Sequence, residues 1–337
     1  MKASGKLPAL LSLAAAALAI VSGCSQQPAA PANAATHVKF NMAWLPQGSQ
    51  AGVIVAIDKG FYAAQQLEVE AVQGFGGTRT TNEVDHGMFE FGYGDPISVV
   101  LNRANGGTAR LVGPINQRWP AGLCFLRERH KFVAPPDLAG YTVGGGQNSA
   151  VQALLPVWLE RNGVPRTAVR ILQLNPSVIV ASLIEGKIDA AECWLGNSRP
   201  LFEREAARAG LTLDWLEYGA HHLDAYGSGI ITSDRLIQKN PALVAAFVQA
   251  TYRGYEYMTQ HPDEARDIML KRYPTLDREV TAAQIRDLTP LLGSAADRAT
   301  IDPARMASSV EFITAGYGLA GRVLPQDIYT TQFLVAH

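Results

Sequence analysis

VKFNMAWLP (residues 38–46), AGVIVAIDKGFY (51–62) and LEVEA (67–71) make up the stretch that decides the fold. Val38, Phe40, Met42 and Trp44 alternate with polar or small residues, the period of a half-buried strand. Ser49 is placed to cap a helix carrying Val53, Ile54, Ala56 and Ile57 on one side, and Gly60 ends it. Leu67, Val69 and Ala71 then restore the period of two. Strand, helix and strand in this order predict a parallel pair with its crossover helix.

The alternation continues. Residues 74–77 turn into a helix near Thr78, residues 89–91 form a short strand, and Asp95-Pro96 opens another helix. Residues 111–115 and 122–126 read as strands. After Pro135-Pro136 the pattern restarts with a strand at 141–143 that runs into Gly144-Gly145-Gly146. Ser149 is placed to cap a helix reaching Asn162. A strand at 169–174, a helix at 177–185 and strands at 188–193, 211–216 and 229–232 follow. The remainder is mostly helical, at 241–260, 262–272 and 303–319. Two α/β lobes with parallel sheets covered on both faces, plus a helical tail, are expected.

The N-terminus carries a different message. Lys2 and Lys6 precede a run, 9–21, that is apolar except for Ser12 and ends at Val21-Ser22-Gly23-Cys24. The run is shorter than the roughly 20 residues a membrane span needs but suits a secretory signal. Small residues before a cysteine resemble the bacterial lipobox, which implies lipid on Cys24. The expected organisation is a lipoprotein signal peptide at 1–23 and a flexible tether at 24–36, with no charge or aromatic residue in SQQPAAPANAAT (25–36). The chain is then expected to work outside the cytoplasm, membrane-anchored through Cys24.

Without Lys2 and Lys6 the 29 basic residues fall to 27 against 30 acidic ones, a net charge of −3. With no basic run, nucleic acid is not an expected partner. Cys124 and Cys193 each sit in an apolar strand-like run and are read as two separate buried thiols, a disulfide being the alternative in an oxidising compartment. His221 and His222 are adjacent on what reads as a strand, where neighbours point to opposite faces, so no shared metal is expected.

Several segments together carry a family likeness. Met42-Ala43-Trp44-Leu45-Pro46, Ala51-Gly52-Val53 and Lys59-Gly60-Phe61-Tyr62 resemble the opening of substrate-binding proteins of ABC importers. The branch is the one whose members bind thiamine-pyrimidine precursors, alkanesulfonates, taurine or nitrate. Residues 74–77 resemble its glycine-rich ligand loop, and Phe91-Gly92-Tyr93-Gly94-Asp95 its Asp-Phe-Gly segment. Asp137-Leu138-Ala139-Gly140 and Gly186-Lys187-Ile188-Asp189-Ala190 resemble two later motifs. The likeness covers roughly residues 38 to 275 and implies a two-lobed type II periplasmic binding protein fold with a hinge and a central ligand cleft. One lobe would hold 37–124 and 228–337, the other 125–227, with crossings near Cys124-Phe125 and Tyr226-Gly227. It also implies a permease and ATPase as partners; no cofactor is expected, and a monomer is the default expectation.

In parallel α/β lobes ligands meet strand carboxyl ends and helix N-termini. That rule selects Trp44, Gln47, Phe75, Gly76, Thr78 and Asp95 in one lobe, and Gln147, Asn148, Ser149, Glu192 and Trp194 in the other. Trp44 and Trp194 could sandwich a flat ring on closure or belong to the core. Glu192 could accept from a ligand amino group or pair with Arg199; Asp95 could meet ligand or merely cap its helix. Arg118 is the better candidate for holding an anion, ahead of Arg79. Two acids and few bases favour an amino-bearing heterocycle, a thiamine-related pyrimidine above all, over an organic anion such as a sulfonate, taurine, nitrate or an aromatic acid. A related fungal family makes the thiamine pyrimidine and is recognised by a cysteine-rich segment; residues 191–196 hold only Cys193, which argues against an enzyme. A ligand-sensing module remains a third reading.

Overall fold

A computed structural model describes residues 34–334; the export signal expected at 1–23, Cys24 and the expected tether up to residue 33 lie outside the described residues. The first lobe begins with β1 (Thr36–Asn41), α1 (Ala51–Asp58), β2 (Leu67–Val72), α2 (Gly77–Asp85), β3 (Phe91–Gly94), α3 (Pro96–Ala104) and β4 (Ala109–Pro114). The second holds β5 (Ala121–Leu126), β6 (Thr142–Gly146), α4 (Val151–Arg161), β7 (Arg170–Leu174), α5 (Ile179–Ile184), β8 (Ala190–Trp194), α6 (Ser198–Arg208) and β9 (Leu213–Glu217). The chain returns with β10 (Gly229–Ser233), then α7 (Asp234–Lys239), α8 (Pro241–Gln260), α9 (Pro262–Arg272), α10 (Arg278–Leu288), α11 (Ala295–Arg298), α12 (Pro303–Gly316) and α13 (Pro325–Ile328).

The sheets run β2-β1-β3-β10-β4 and β7-β6-β8-β5-β9. They are mixed, not parallel as the alternating pattern predicts. β10 is antiparallel to both β3 and β4, and β5 is antiparallel to both β8 and β9. These are the two strands by which the chain enters a sheet from the other lobe, so neither is delivered by a crossover helix of its own sheet. Cys124 and Phe125 lie inside β5, and the chain passes between the sheets at residues 115–120 and 218–228.

α8 covers the first sheet because its apolar face carries Phe247, which stacks on Phe91 with ring centroids 3.9 Å apart and lies 5.1 Å from Tyr62. α1 approaches α8 closely at Gly52 and Gly254, where a Cβ would run into the Tyr255 ring and the Gly52 carbonyl respectively. On the other side Phe312 and Ile313 of α12 join one buried cluster with Val99, Leu154 and Trp158, knitting α12 to both lobes. Among the described residues no helix is long and apolar enough to cross a membrane.

Some local expectations change. The strand expected at 89–91 lies at Phe91–Gly94. Two glycines there defy strand propensity, but Thr80 and Ile231 pack where their side chains would be, and packing overrides propensity. Ser149 does not cap α4; its hydroxyl turns to Glu192 instead. Ser49 falls inside a short 3-10 turn ahead of α1. His221 and His222 sit in a turn after β9, where the His221 carbonyl accepts from Trp158 Nε1 at 2.7 Å.

Cys124 and Cys193 form a disulfide, with Cα atoms 5.9 Å apart, rather than two separate thiols. β5 and β8 pair antiparallel with Cys124 opposite Ala191 and Gly122 opposite Cys193. The cysteines are therefore diagonal neighbours on one face, within the reach of a disulfide.

Candidate functional site

A cavity of about 890 Å³ opens between the two sheets. Its first-lobe wall is the loop after β1. Asn41 Oδ1 accepts from the Ala43 N–H at 2.9 Å and from Thr80 Oγ1 at 3.0 Å, and holds Ala43 at φ 62. The Ala43 and Trp44 carbonyls accept from the N–H groups of Gly76 and Gly74 at 2.7 and 3.2 Å. Gly74 must lack a side chain, since a Cβ would meet Asn41 Oδ1 and the Ala43 backbone. The glycine-rich loop thus clasps the loop that presents Trp44. Trp44 reaches across to the second lobe, where its indole occupies the space a side chain on Gly146 would need.

Asp95 follows β3 and caps α3, accepting from the Ser98 N–H at 2.8 Å and Ser98 Oγ at 2.9 Å. It is buried and also faces the cavity. Both alternatives open at the sequence level therefore hold in geometry. Replacing Asp95 with Ala should lower stability by about 1 kcal/mol through the lost cap alone; an unchanged urea midpoint would remove the cap as an energetic feature.

The opposite wall comes from β8. Alternation along the strand puts Glu192 and Trp194 on the cavity face and Cys193 on the other. Glu192 Oε1 accepts from Trp194 Nε1 at 2.8 Å, and Oε2 from Ser149 Oγ at 2.9 Å. Arg199 does not reach it; that guanidinium pairs with Glu203 at 3.0 Å. Burial pushes the Glu192 carboxyl up to about 7, against hydrogen bonds from Trp194, Ser149 and the Gly146 N–H, while the Asp95 charge adds to the rise. Burial raises Asp95 as well, opposed by its bonds to Ser98 and the Ile97 N–H. No lysine, arginine or histidine lines the cavity among the described residues.

The lobes touch along the rim. The Thr78 N–H donates to the Asn148 carbonyl at 3.2 Å, and Asn197 Nδ2 to Ser49 Oγ at 3.1 Å. Gln284 Nε2 donates to the Asn197 carbonyl at 2.6 Å, and Arg204 pairs with Asp277 at 2.5 Å.

Comparison with known proteins fits this architecture. Residues 47–265 match the family model described as NMT1/THI5 like. The chain belongs to the NMT1/THI5-like family. Among curated relatives, a formylaminopyrimidine-binding protein of Halalkalibacterium halodurans is 24% identical over 255 residues, 75% of this chain and 76% of that one. The riboflavin-binding protein RibY of Chloroflexus aurantiacus is 25% identical over 350 residues, covering 96% and 97%. A weaker match, at 22% over 242 residues (72% and 75%), is a 4-amino-5-hydroxymethyl-2-methylpyrimidine phosphate synthase of Legionella pneumophila. In fold the chain resembles the alkanesulfonate-binding protein SsuA of Xanthomonas axonopodis pv. citri, with a TM-score of 0.67 and 16% identity over 88% of this chain and 98% of that one. The fold is that of the periplasmic binding proteins.

In this NMT1/THI5-like chain six residues selected from the sequence line one cavity: Trp44, Gln47, Asp95, Ser149, Glu192 and Trp194. Six others do not. Phe75 is exposed under Arg79, and Gly76 (φ 116) packs on the Asn148 backbone. Thr78 lies on the rim through its N–H. Gln147 and Asn148 are exposed, and so is Arg118. Arg79 pairs with Glu83 at 2.7 Å. Sequence reasoning missed the apolar lining from Met42, Ile179, Leu201 and Phe202, and Asn197 at the start of α6. The signal for α6 was present, since Gly196, at φ 67, turns the chain directly into Asn197-Ser198 at the helix start.

Proposed function

We propose that this chain is the solute-binding component of an ABC importer and takes a small amino-bearing heterocycle, best a thiamine-related pyrimidine, between Trp44 and Trp194. The observation that carries the reading is the cavity's charge. Two buried carboxylates, Asp95 and Glu192, face it with no lining base. Each already accepts two bonds from the protein, and ring N–H or amino groups would supply the further donors that a buried charge can still accept. An anion would meet two acids instead. The names of the formylaminopyrimidine- and riboflavin-binding relatives support a nitrogen heterocycle. The enzyme reading lacks a free thiol here, because Cys193 is tied to Cys124.

The mature protein works outside the cytoplasm as a monomer, anchored by lipid on Cys24, and delivers its ligand to a permease with an associated ATPase. The disulfide supports an oxidising compartment. The hinge comprises residues 115–120 and 218–228, and ligand shifts the lobes toward the closed arrangement.

Thermal unfolding against aminopyrimidines, flavins, sulfonates, taurine, nitrate and aromatic acids tests the ligand class. A heterocycle at roughly 100 times its dissociation constant should add about 2.7 kcal/mol, a shift of several degrees. The shift should vanish in Trp44→Ala. Stabilisation by sulfonates or nitrate alone would overturn the heterocycle reading. Small-angle scattering should show a more compact particle with ligand, and an unchanged profile would overturn closure.

A further inference from the structure

Asp95 and Glu192 face one buried space from opposite lobes. Like charges repel more strongly there than in water. Neither carboxylate has a cationic partner. No lysine, arginine or histidine lines the cavity among the described residues, and the ionised groups of α6, which packs on β8, are paired with one another or with Asp277. β5, β6 and α5 also pack on β8 and carry no ionisable side chain other than the bridged Cys124. Tyr218 lies near Glu192 too, but burial and the Glu192 charge keep its phenol protonated.

Gln47, 7% exposed, lines the same space, and its Nε2 has no hydrogen-bond partner. A buried amide donor without a partner lacks a bond it would have in water, and an acceptor atom on a ligand would supply it. Trp44 and Trp194 add two indoles, whose faces attract a cation. Carboxylates from both walls and two indoles together favour a flat ring that carries positive charge over a neutral ring of the same shape.

We propose that the cavity takes its ligand as a monocation, a flat ring whose positive charge replaces the proton on Glu192 and lies between that carboxylate and Asp95. The exchange balances: Glu192 releases its proton to solvent as the cation enters, and the net charge of the space is unchanged. The proton is there to be released because burial and the Asp95 charge push the Glu192 carboxyl up to about 7. The proposal rests on the heterocycle reading and adds the ligand's charge state, which an amino group alone does not require.

Two rings of one shape provide the test. 4-Amino-1-methylpyridinium is permanently charged, and 4-methylaniline is its neutral carbon analogue with the same amino and methyl groups. By calorimetry at pH 8 the cation should bind at least tenfold more tightly. At pH 6 that advantage should shrink, because the proton on Glu192 competes. Heats measured in phosphate and in Tris at pH 6 should show the cation, and not the aniline, releasing protons. Glu192→Gln should abolish the release and narrow the advantage, with Asp95 still attracting the cation. Equal affinities for the two rings at pH 8 would overturn the cation and leave a neutral amino-bearing heterocycle standing. Proton release unchanged in Glu192→Gln would do the same. Binding of neither ring would overturn the proposal, since the pair carries the flat ring and amino group it calls for. Stabilisation by sulfonates or nitrate alone would overturn it together with the heterocycle reading.

Discussion

Replacing Cys124 and Cys193 together with alanine lowers the free energy of unfolding by about 4 kcal/mol. The bridge closes a loop with a sequence separation of 69. Cross-linking a loop of that length removes denatured-state entropy worth roughly this amount. Both residues are fully buried, so the variant also loses the packing of two sulfur atoms. The check is a urea midpoint for the native protein, the native protein unfolded and refolded with reductant, and the double variant. The latter two should both fall below the first, the double variant further because the reduced protein keeps its two buried sulfurs. A loss under about 1 kcal/mol would mean that pairing of β5 with β8 already restrains the unfolded chain. Since Cys193 lies between Glu192 and Trp194, the variant should also loosen the cavity wall. Ligand-induced stabilisation should shrink in it.

Glu192→Gln should raise the stability of the ligand-free protein at pH 8 and leave it nearly unchanged near pH 4.5. The sign follows from proton counting. Glu192 has an ordinary value of 4.5 and is pushed up to about 7 in the folded protein, with burial as the main cause. Between those values the folded state keeps a proton that the unfolded state has released. Stability therefore falls as pH rises through this window. Above pH 7 the full penalty applies, on the order of 3 kcal/mol. Glutamine carries no such penalty, and its amide can still accept from Trp194 Nε1 while donating to Ser149 Oγ. Melting temperatures of the two proteins should diverge from pH 4.5 to pH 7.5. Asp95, also raised by burial, contributes a slope of the same sign to both. A constant difference across the range would show that Glu192 is not a desolvated acid. Ligand should narrow the gap at pH 8, because donors from the ring would satisfy the carboxylate in the native protein alone.

Legibility from the sequence followed the range of the interaction. α8 and α9 begin at Pro241 and Pro262 and run to Gln260 and Arg272, the limits read from the chain. Their signals are local, a proline in the first turn and an apolar face of helical period. Asp95 before Pro96 was legible as a helix start for the same reason. α10 was missed, since its start is marked only by Asp277, whose carboxylate takes the Glu279 and Val280 N–H groups. The start of β3 was misplaced by two residues and its end by three, because only its neighbours Thr80 and Ile231 explain why glycines occupy a buried strand.

The sequence by itself determined the alternation of strands and helices, the two-lobed fold and the family. Each follows from short-range periodicity or from the order of motifs along the chain. It also placed Trp44, Asp95, Glu192 and Trp194 at strand ends. Only the tertiary structure decided what meets across the chain. The antiparallel sense of β5 and β10 depends on passage between lobes. The disulfide depends on β5 lying beside β8. Phe75, Thr78, Gln147 and Arg118 stand at comparable positions in the chain yet fall outside the cavity, because loop conformation aims a side chain and periodicity does not. The desolvation of Glu192 has the same origin: a carboxylate's proton affinity is set by what surrounds it in space, and those surroundings come from residues 95, 146, 149 and 194.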